Sequence, residues 1–434
     1  MVALTVAIAL ALILPAVFQG TPTTRPTPTT QSESPAQENL ALAQASLFDH
    51  TRSAPTGLSS PQPAGSSPVS GYRWTNASYA VGAVAPSYRS NPEMAWDAAD
   101  GYVLLFGGNS VTGALETDTW TYLNGTWTNI TSSVIGHPPP IARAFMNYDP
   151  STNSVILFGG YLLGVSYVNY TWSYHKDKWT NLTSTADGPP TSDFTSVASD
   201  PSDGELLAVV ESNIEQTWTF KDGSWANITA SAPPPLQPDS PSSVPFGLSP
   251  DPAEGGVLML SEYQTVSGFF GATYLFKAGT WQNLTDQSPN APLYPYGIVP
   301  WVADPLSYLP SATAVLFYET LSMNQIGLTF PFSETWMFSS GRWTNISGPA
   351  GAGPDPDVVA PSAGAVDPAD SAFVTFGGIT SLSLLIPTWI LSAPPVVNVS
   401  ATPEATDVGL PVHLRGNVTF GLEPNNASWS FGDG

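Results

Sequence analysis

A pair of aromatic residues, seven positions apart, recurs along this chain and restricts its fold more than any other feature. The pairs are Trp120 and Trp127, Trp172 and Trp179, Trp218 and Trp225, Tyr274 and Trp281, and Trp336 and Trp343. The second member always opens one phrase, as in Trp127-Thr128-Asn129-Ile130-Thr131 or Trp343-Thr344-Asn345-Ile346-Ser347. Upstream of each pair stands an Asp, usually followed by Pro, at positions 97, 149, 200, 251 and 304, and again at 367. The steps are 51–53 residues until a last one of 63. A period of about 50 residues means one supersecondary unit repeated, each burying its apolar face against the next.

Within a unit the local signals are those of strands. A strand ends at Asp-Pro, where Pro presets φ for a turn. A nearly all-apolar, β-branched strand follows, best seen in Val155-Ile156-Leu157-Phe158, and its composition implies burial on both faces. A third strand carries the first aromatic. A short turn such as Asn124-Gly125 or Asp222-Gly223 then closes a hairpin into the fourth. Four antiparallel strands per unit of this length read as a propeller blade.

The chain resembles the kelch family, whose propellers include the central domain of galactose-oxidase-like proteins. The resemblance rests on Phe106-Gly107-Gly108, Phe158-Gly159-Gly160 and Phe376-Gly377-Gly378 at the end of the second strand, with the seven-spaced aromatics, over residues 72–393. It implies an all-β, six-bladed propeller. The sixth unit has Asp367, a diglycine and Trp389 but no second Trp phrase, whereas Trp74-Thr75-Asn76-Ala77-Ser78 is such a phrase without a unit. Residues 72–79 are therefore expected to supply the outermost strand of the last blade, closing the ring and covering an open edge.

Outside the repeat, residues 1–20 read as a signal peptide or signal anchor. Met1–Phe18 is almost wholly apolar, no Lys or Arg precedes the run, and 1–18 are a possible membrane anchor. Residues 21–71 are a Thr/Pro/Ser-rich linker. Residues 394–434 resemble the opening of a PKD-type immunoglobulin-like β-sandwich through Trp429-Ser430-Phe431-Gly432-Asp433-Gly434. About 40 residues are too few for two packed sheets, so a truncated PKD-type domain, and a chain that is part of a longer surface protein, are expected.

Composition excludes several chemistries. Eleven Lys+Arg against 34 Asp+Glu leave a net charge of −23, so nucleic acid is not an expected partner. With no Cys, thiol catalysis, Fe–S clusters, Cys-based zinc sites and the Cys-linked tyrosine of galactose-oxidase-like copper chemistry are unavailable. The four histidines, His50, His137, His175 and His413, share no motif. The Gly-Gly pairs lack the Lys-Ser/Thr of a phosphate loop. No catalytic residue and no obligatory cofactor is expected.

Three groups of residues remain as candidates. Counting from the unit Asp, Glu211 and Glu262 fall where other blades have the second glycine, and Glu319 occupies the corresponding place after an insertion in the fifth unit. They are read either as an acidic site for Ca²⁺ or a cationic ligand group, or as solvated loop-base residues. The loops that follow carry Tyr161, Phe269, Phe270, Phe330 and Phe332, read either as an apolar interaction rim or as a self-packed cover. Finally, Asn76, Asn129, Asn181, Asn227, Asn283 and Asn345 head sequons in the fourth-strand phrase. They are candidate glycosylation sites, or simply the exit turn of the strand repeated six times.

The function expected from sequence is a secreted or cell-surface, non-enzymatic binding or adhesion protein presenting a propeller face to a glycan or an extracellular protein. The alternatives are an extracellular polysaccharide hydrolase or lyase using propeller-face carboxylates, and a structural coat component without a ligand.

Overall fold

The computed structural model describes residues 71–77, 84–191, 194–211, 215–235, 244–265, 268–288, 291–292, 306–321, 332–350, 358–380, 388–393, 397–402 and 413–418. The chain divides into Met1–Gly65, which lies outside the described residues, and Ser66–Gly434. Blade one comprises Glu93–Asp97, Tyr102–Phe106, Thr119–Leu123 and Thr126–Asn129, ordered from the axis to the rim. Blade two is Ala142–Asp149, Ser154–Leu162, Thr171–Tyr174 and Trp179–Asn181, and blade three is Phe194–Asp200, Glu205–Glu211, Glu215–Lys221 and Ser224–Asn227. Blade four is Val244–Asp251, Gly256–Thr265, Gly268–Lys277 and Thr280–Asn283, and blade five is Leu306–Leu309, Ala314–Leu321, Phe332–Ser339 and Arg342–Asn345. Blade six is Val358–Asp367, Ala372–Thr380, Trp389–Ser392 and, from the other end of the chain, Arg73–Asn76.

Each inner strand packs against the inner strands of both neighbouring blades, so the protein is a closed six-bladed β-propeller. The ring closes as the sequence expects, with Trp74 opposite Leu391 and Asn76 opposite Trp389. The apolar second strands are the densest part of the core: Val103, Leu104 and Leu105, like Leu206 to Val210, have no exposed surface.

The spacing of the aromatics has a tertiary cause. The second aromatic stacks on a residue of its own hairpin, as in Tyr122 with Trp127 and Phe220 with Trp225, at centroid distances of 5.0 and 5.1 Å. Its indole crosses to the preceding blade. Trp127, Trp179, Trp225, Trp281, Trp343 and Trp74 donate Nε1 to Thr388, Thr119, Thr171, Thr217, Thr273 and Thr335 at 2.9–3.3 Å. Each of these Thr residues directly precedes a first aromatic and is buried. A buried indole N–H needs an acceptor, and one Thr per blade supplies it.

Register alters one detail of the sequence reading. Leu309 pairs with Ala314 as Asp97 pairs with Tyr102, so Leu309-Pro310 holds the turn position in blade five. Asp304, from which the sequence count runs in this unit, lies outside the described residues. The C-terminal segment contributes an antiparallel hairpin, Val397–Thr402 with His413–Val418; Trp429 to Gly434 lie outside the described residues. Among the described residues no helix is long and apolar enough to cross a membrane, and residues 1–18 are not among them.

Candidate functional site

Antiparallel connectivity puts the Asp-Pro turns and the third-to-fourth strand hairpins on one face of the ring, and the ends of the second strands on the other. On the turn side, the inner strands enclose an axial cavity of about 220 Å³ to which all six blades contribute. The residue one position before the turn decides its chemistry. It is Trp96, Tyr148 and Tyr308 in blades one, two and five, and Ser199, Pro250 and Val366 in the others. Asn147 and Ser307 add polar groups, Met94, Met146 and Leu306 apolar ones, and among the described residues no Lys or Arg lines the space.

Carboxylates of the turns follow the cavity-lining residues in the chain, as Asp97 follows Trp96 and Asp149 follows Tyr148. Asp97, Asp149, Asp200, Asp251 and Asp367 are buried, each accepting the backbone N–H two residues on, as in Ala99 to Asp97 at 3.0 Å and Ser202 to Asp200 at 2.8 Å. Such Asx turns explain why the repeat demands Asp. Burial pushes the carboxyls of Asp97, Asp251 and Asp367 above the ordinary range, against the pull of their turn hydrogen bonds. Oδ2 of Asp97, Asp200 and Asp367 has no hydrogen-bond partner among the described residues. The phenols of Tyr148 and Tyr308 are also pushed up, first by burial and then by carboxylates in Coulombic reach: Asp97, Asp149 and Asp100 for Tyr148, Asp251 for Tyr308. Aromatic residues therefore line a cavity beside turn carboxylates that act on two of them.

The residues singled out from sequence belong to the other end of the blades. Glu211 pairs with Phe194 and Glu215, and Glu262 with Val244 and Gly271, so both continue the second strand. Glu319 pairs with Glu334, one residue short of the register of Glu211 and Glu262; Thr320 holds the equivalent place. Where glycines stand, the chain bends instead: Gly107 and Gly108 have φ of +69° and +102°, and a Cβ on Gly107 would lie 2.3 Å from the Ile141 carbonyl oxygen. The side chains of Glu211, Glu262, Glu319, Phe269, Phe270 and Phe332, and the whole of Phe330, lie outside the described residues.

Tyr161 is described, and it packs edge-on against Tyr167 at 5.6 Å. Arg143 Nη1 donates to the Tyr167 hydroxyl at 3.2 Å. The tip beyond this pair leaves Leu163 and Val165 more than 60% exposed, so this loop is not self-covered.

Two features escaped the sequence reading. Arg89 is wholly buried and forms a two-pronged ion pair with Asp118, while donating to the carbonyls of Ser87 and Gly107. Burial would raise the Asp118 carboxyl, but Arg89 and the Trp120 indole, 2.6 Å away, hold it below the ordinary range. A single Arg ahead of a strand carries no sequence signal of this role. The acceptor Thr residues did carry one, six-fold recurrence immediately before the first aromatic.

The sequon phrase is itself architectural. Oδ1 of Asn129, Asn181, Asn227, Asn283 and Asn345 accepts the backbone N–H of the Thr or Ser two residues on, at 2.9–3.0 Å. That hydroxyl in turn accepts the N–H of the buried acceptor Thr of its own blade, as in Thr119 to Thr131 at 2.9 Å. The five Asn side chains stand at the exposed outer strand, and Asn76 is half-buried.

No protein-family description matches the chain, and no curated protein does. Among solved structures it is similar to YjhT, with 12% identity and a TM-score of 0.44 over 76% of this chain and 98% of that one. The Aleuria aurantia lectin, solved with α-methyl-L-fucoside, shows 12% identity and a TM-score of 0.43 over 78% of this chain and 99% of the lectin. A Trypanosoma rangeli sialidase, solved as a covalent intermediate, shows 12% identity and a TM-score of 0.44 over 71% of this chain and 54% of the enzyme.

Proposed function

We propose that this chain is a secreted or surface-displayed, non-enzymatic binding protein, a kelch-type propeller followed by the start of a PKD-type module, which takes a glycan at its axial cavity. The observation that carries this reading is the placement of Trp96, Tyr148 and Tyr308 around one small cavity with Asn147, Ser199 and Ser307 between them. Aromatic faces suit the C–H surface of a sugar ring, and a few fixed polar groups orient its hydroxyls. One oxygen of each turn carboxylate, as in Asp97, Asp251 and Asp367, accepts a backbone N–H, which gives these residues a structural role in the turn. Export would expose the outer-strand sequons to glycosylation, which belongs to the same proposal.

Screening the whole chain on a glycan array, with and without Ca²⁺, tests this. Binding to a defined set of glycans that is lost in Trp96→Leu is expected; an array without a hit, or hits indifferent to that substitution, overturns it. A Ca²⁺ requirement would instead move the site to the face of Glu211 and Glu262.

A further inference from the structure

The composition of the axial cavity goes further than glycan binding and, resting on that reading, points to the charge of the ligand. Three aromatic residues, Trp96, Tyr148 and Tyr308, line one space from three blades, and among the described residues no Lys or Arg lines it. Turn carboxylates act on two of them. Asp97, Asp100 and Asp149 lie within Coulombic reach of Tyr148, and Asp251 within reach of Tyr308. His175 is within Coulombic reach of Asp97, and its Nδ1 lies 2.7 Å from the Asn153 carbonyl oxygen. Aromatic faces present their negative quadrupole to a cation, and the attraction grows when the cation leaves water. A surrounding negative field deepens that preference and repels anions.

Size sets a second limit. At about 220 Å³ the cavity is smaller than the roughly 300–1,000 Å³ of sites that take drug-sized ligands. One ring or one compact headgroup fits; a stretch of polymer does not.

We infer that the cavity selects a cationic headgroup, presented by a terminal amino sugar, over neutral and acidic sugars of the same size.

The test titrates the whole chain at neutral pH with D-glucosamine, D-glucose, D-glucuronate and tetramethylammonium, followed by ligand-observed NMR. Glucosamine is expected to bind about tenfold tighter than glucose and to be displaced by tetramethylammonium, with glucuronate not binding. Trp96→Leu, and separately Tyr308→Leu, should each weaken tetramethylammonium about tenfold; unfolding curves establish that the variants are folded, and either one suffices. Equal binding of glucose and glucosamine, or preference for glucuronate, overturns the charge selection and leaves the glycan reading standing. Tetramethylammonium binding without any sugar upholds the charge selection and overturns the glycan reading. Silence from all four overturns both.

Discussion

Trp74 and Thr335 stand 261 positions apart in the chain, and the indole Nε1 of Trp74 donates a 3.0 Å hydrogen bond to Thr335 Oγ1. The same ring packs on Tyr318 at 4.7 Å and on Phe373 at 6.2 Å. Trp74 thus performs at the seam what Trp127, Trp179, Trp225, Trp281 and Trp343 perform at the other five blade interfaces. A strand from the start of the propeller thus completes blade six and is fastened by its indole to blade five.

Truncating Trp74 to Ala is therefore expected to cost about 3–5 kcal/mol, the range for a large aromatic removed from a core. Thr335→Val, which strands the buried indole N–H, should cost about 1–3 kcal/mol. Denaturant midpoints measure both. If removal of residues 71–77 left the midpoint unchanged, the seam would not be the closure described.

Arg89 is wholly buried and pairs with the half-buried Asp118, so removing Asp118 would leave a buried charge uncompensated and removing Arg89 would leave a half-buried one. Arg89→Met should lower stability by about 3–5 kcal/mol, while replacing both partners with apolar residues should recover much of it. The Asp118 carboxyl is held low in the folded state, so its contribution is present above the ordinary carboxylate range and fades as pH falls through its folded value. An acid-unfolding profile that Arg89→Met does not alter would contradict this.

At Asp367 the sign reverses. Its folded carboxyl is raised, chiefly by burial, so folding is favoured below the ordinary carboxylate range and this advantage is lost as pH rises through the folded value. Asp367→Asn keeps an acceptor for the Ala369 N–H, 3.0 Å away, and removes the buried charge. The variant should melt above the parent at pH 7, and the two should converge on acidification. Parallel melting curves across that pH range would argue that the carboxylate costs nothing.

Gly107 and Gly125 share a positive φ, +69° and +77°, but not a neighbourhood. A Cβ on Gly125 meets nothing within 4 Å, whereas one on Gly107 falls 2.3 Å from Ile141 O. Gly125→Ala should cost about 1–2 kcal/mol of backbone strain, and Gly107→Ala clearly more. Equal losses in the two would remove close approach as the reason for the diglycine.

Much of this architecture was legible in the sequence because it is periodic and local. Alternating turn and strand signals, a buried apolar run and the Trp phrase recur every unit, and the unmatched phrase at Trp74 announced closure of the ring. Counting from an Asp-Pro pair worked wherever the turn kept it, and slipped in blade five because Leu309-Pro310 serves there; register follows from paired hydrogen bonds, not from the residue type at the turn. The candidate site was legible only in its parts. Trp96, Tyr148 and Tyr308 hold the same place in three blades, one residue before the turn, but the sequence does not show that one cavity gathers them until all six inner strands have closed on the axis. Likewise, the acceptor of each indole and the partner of Arg89 are decided by which blade lies alongside. Those contacts are non-local, and a linear pattern carries no record of them until the ring has formed.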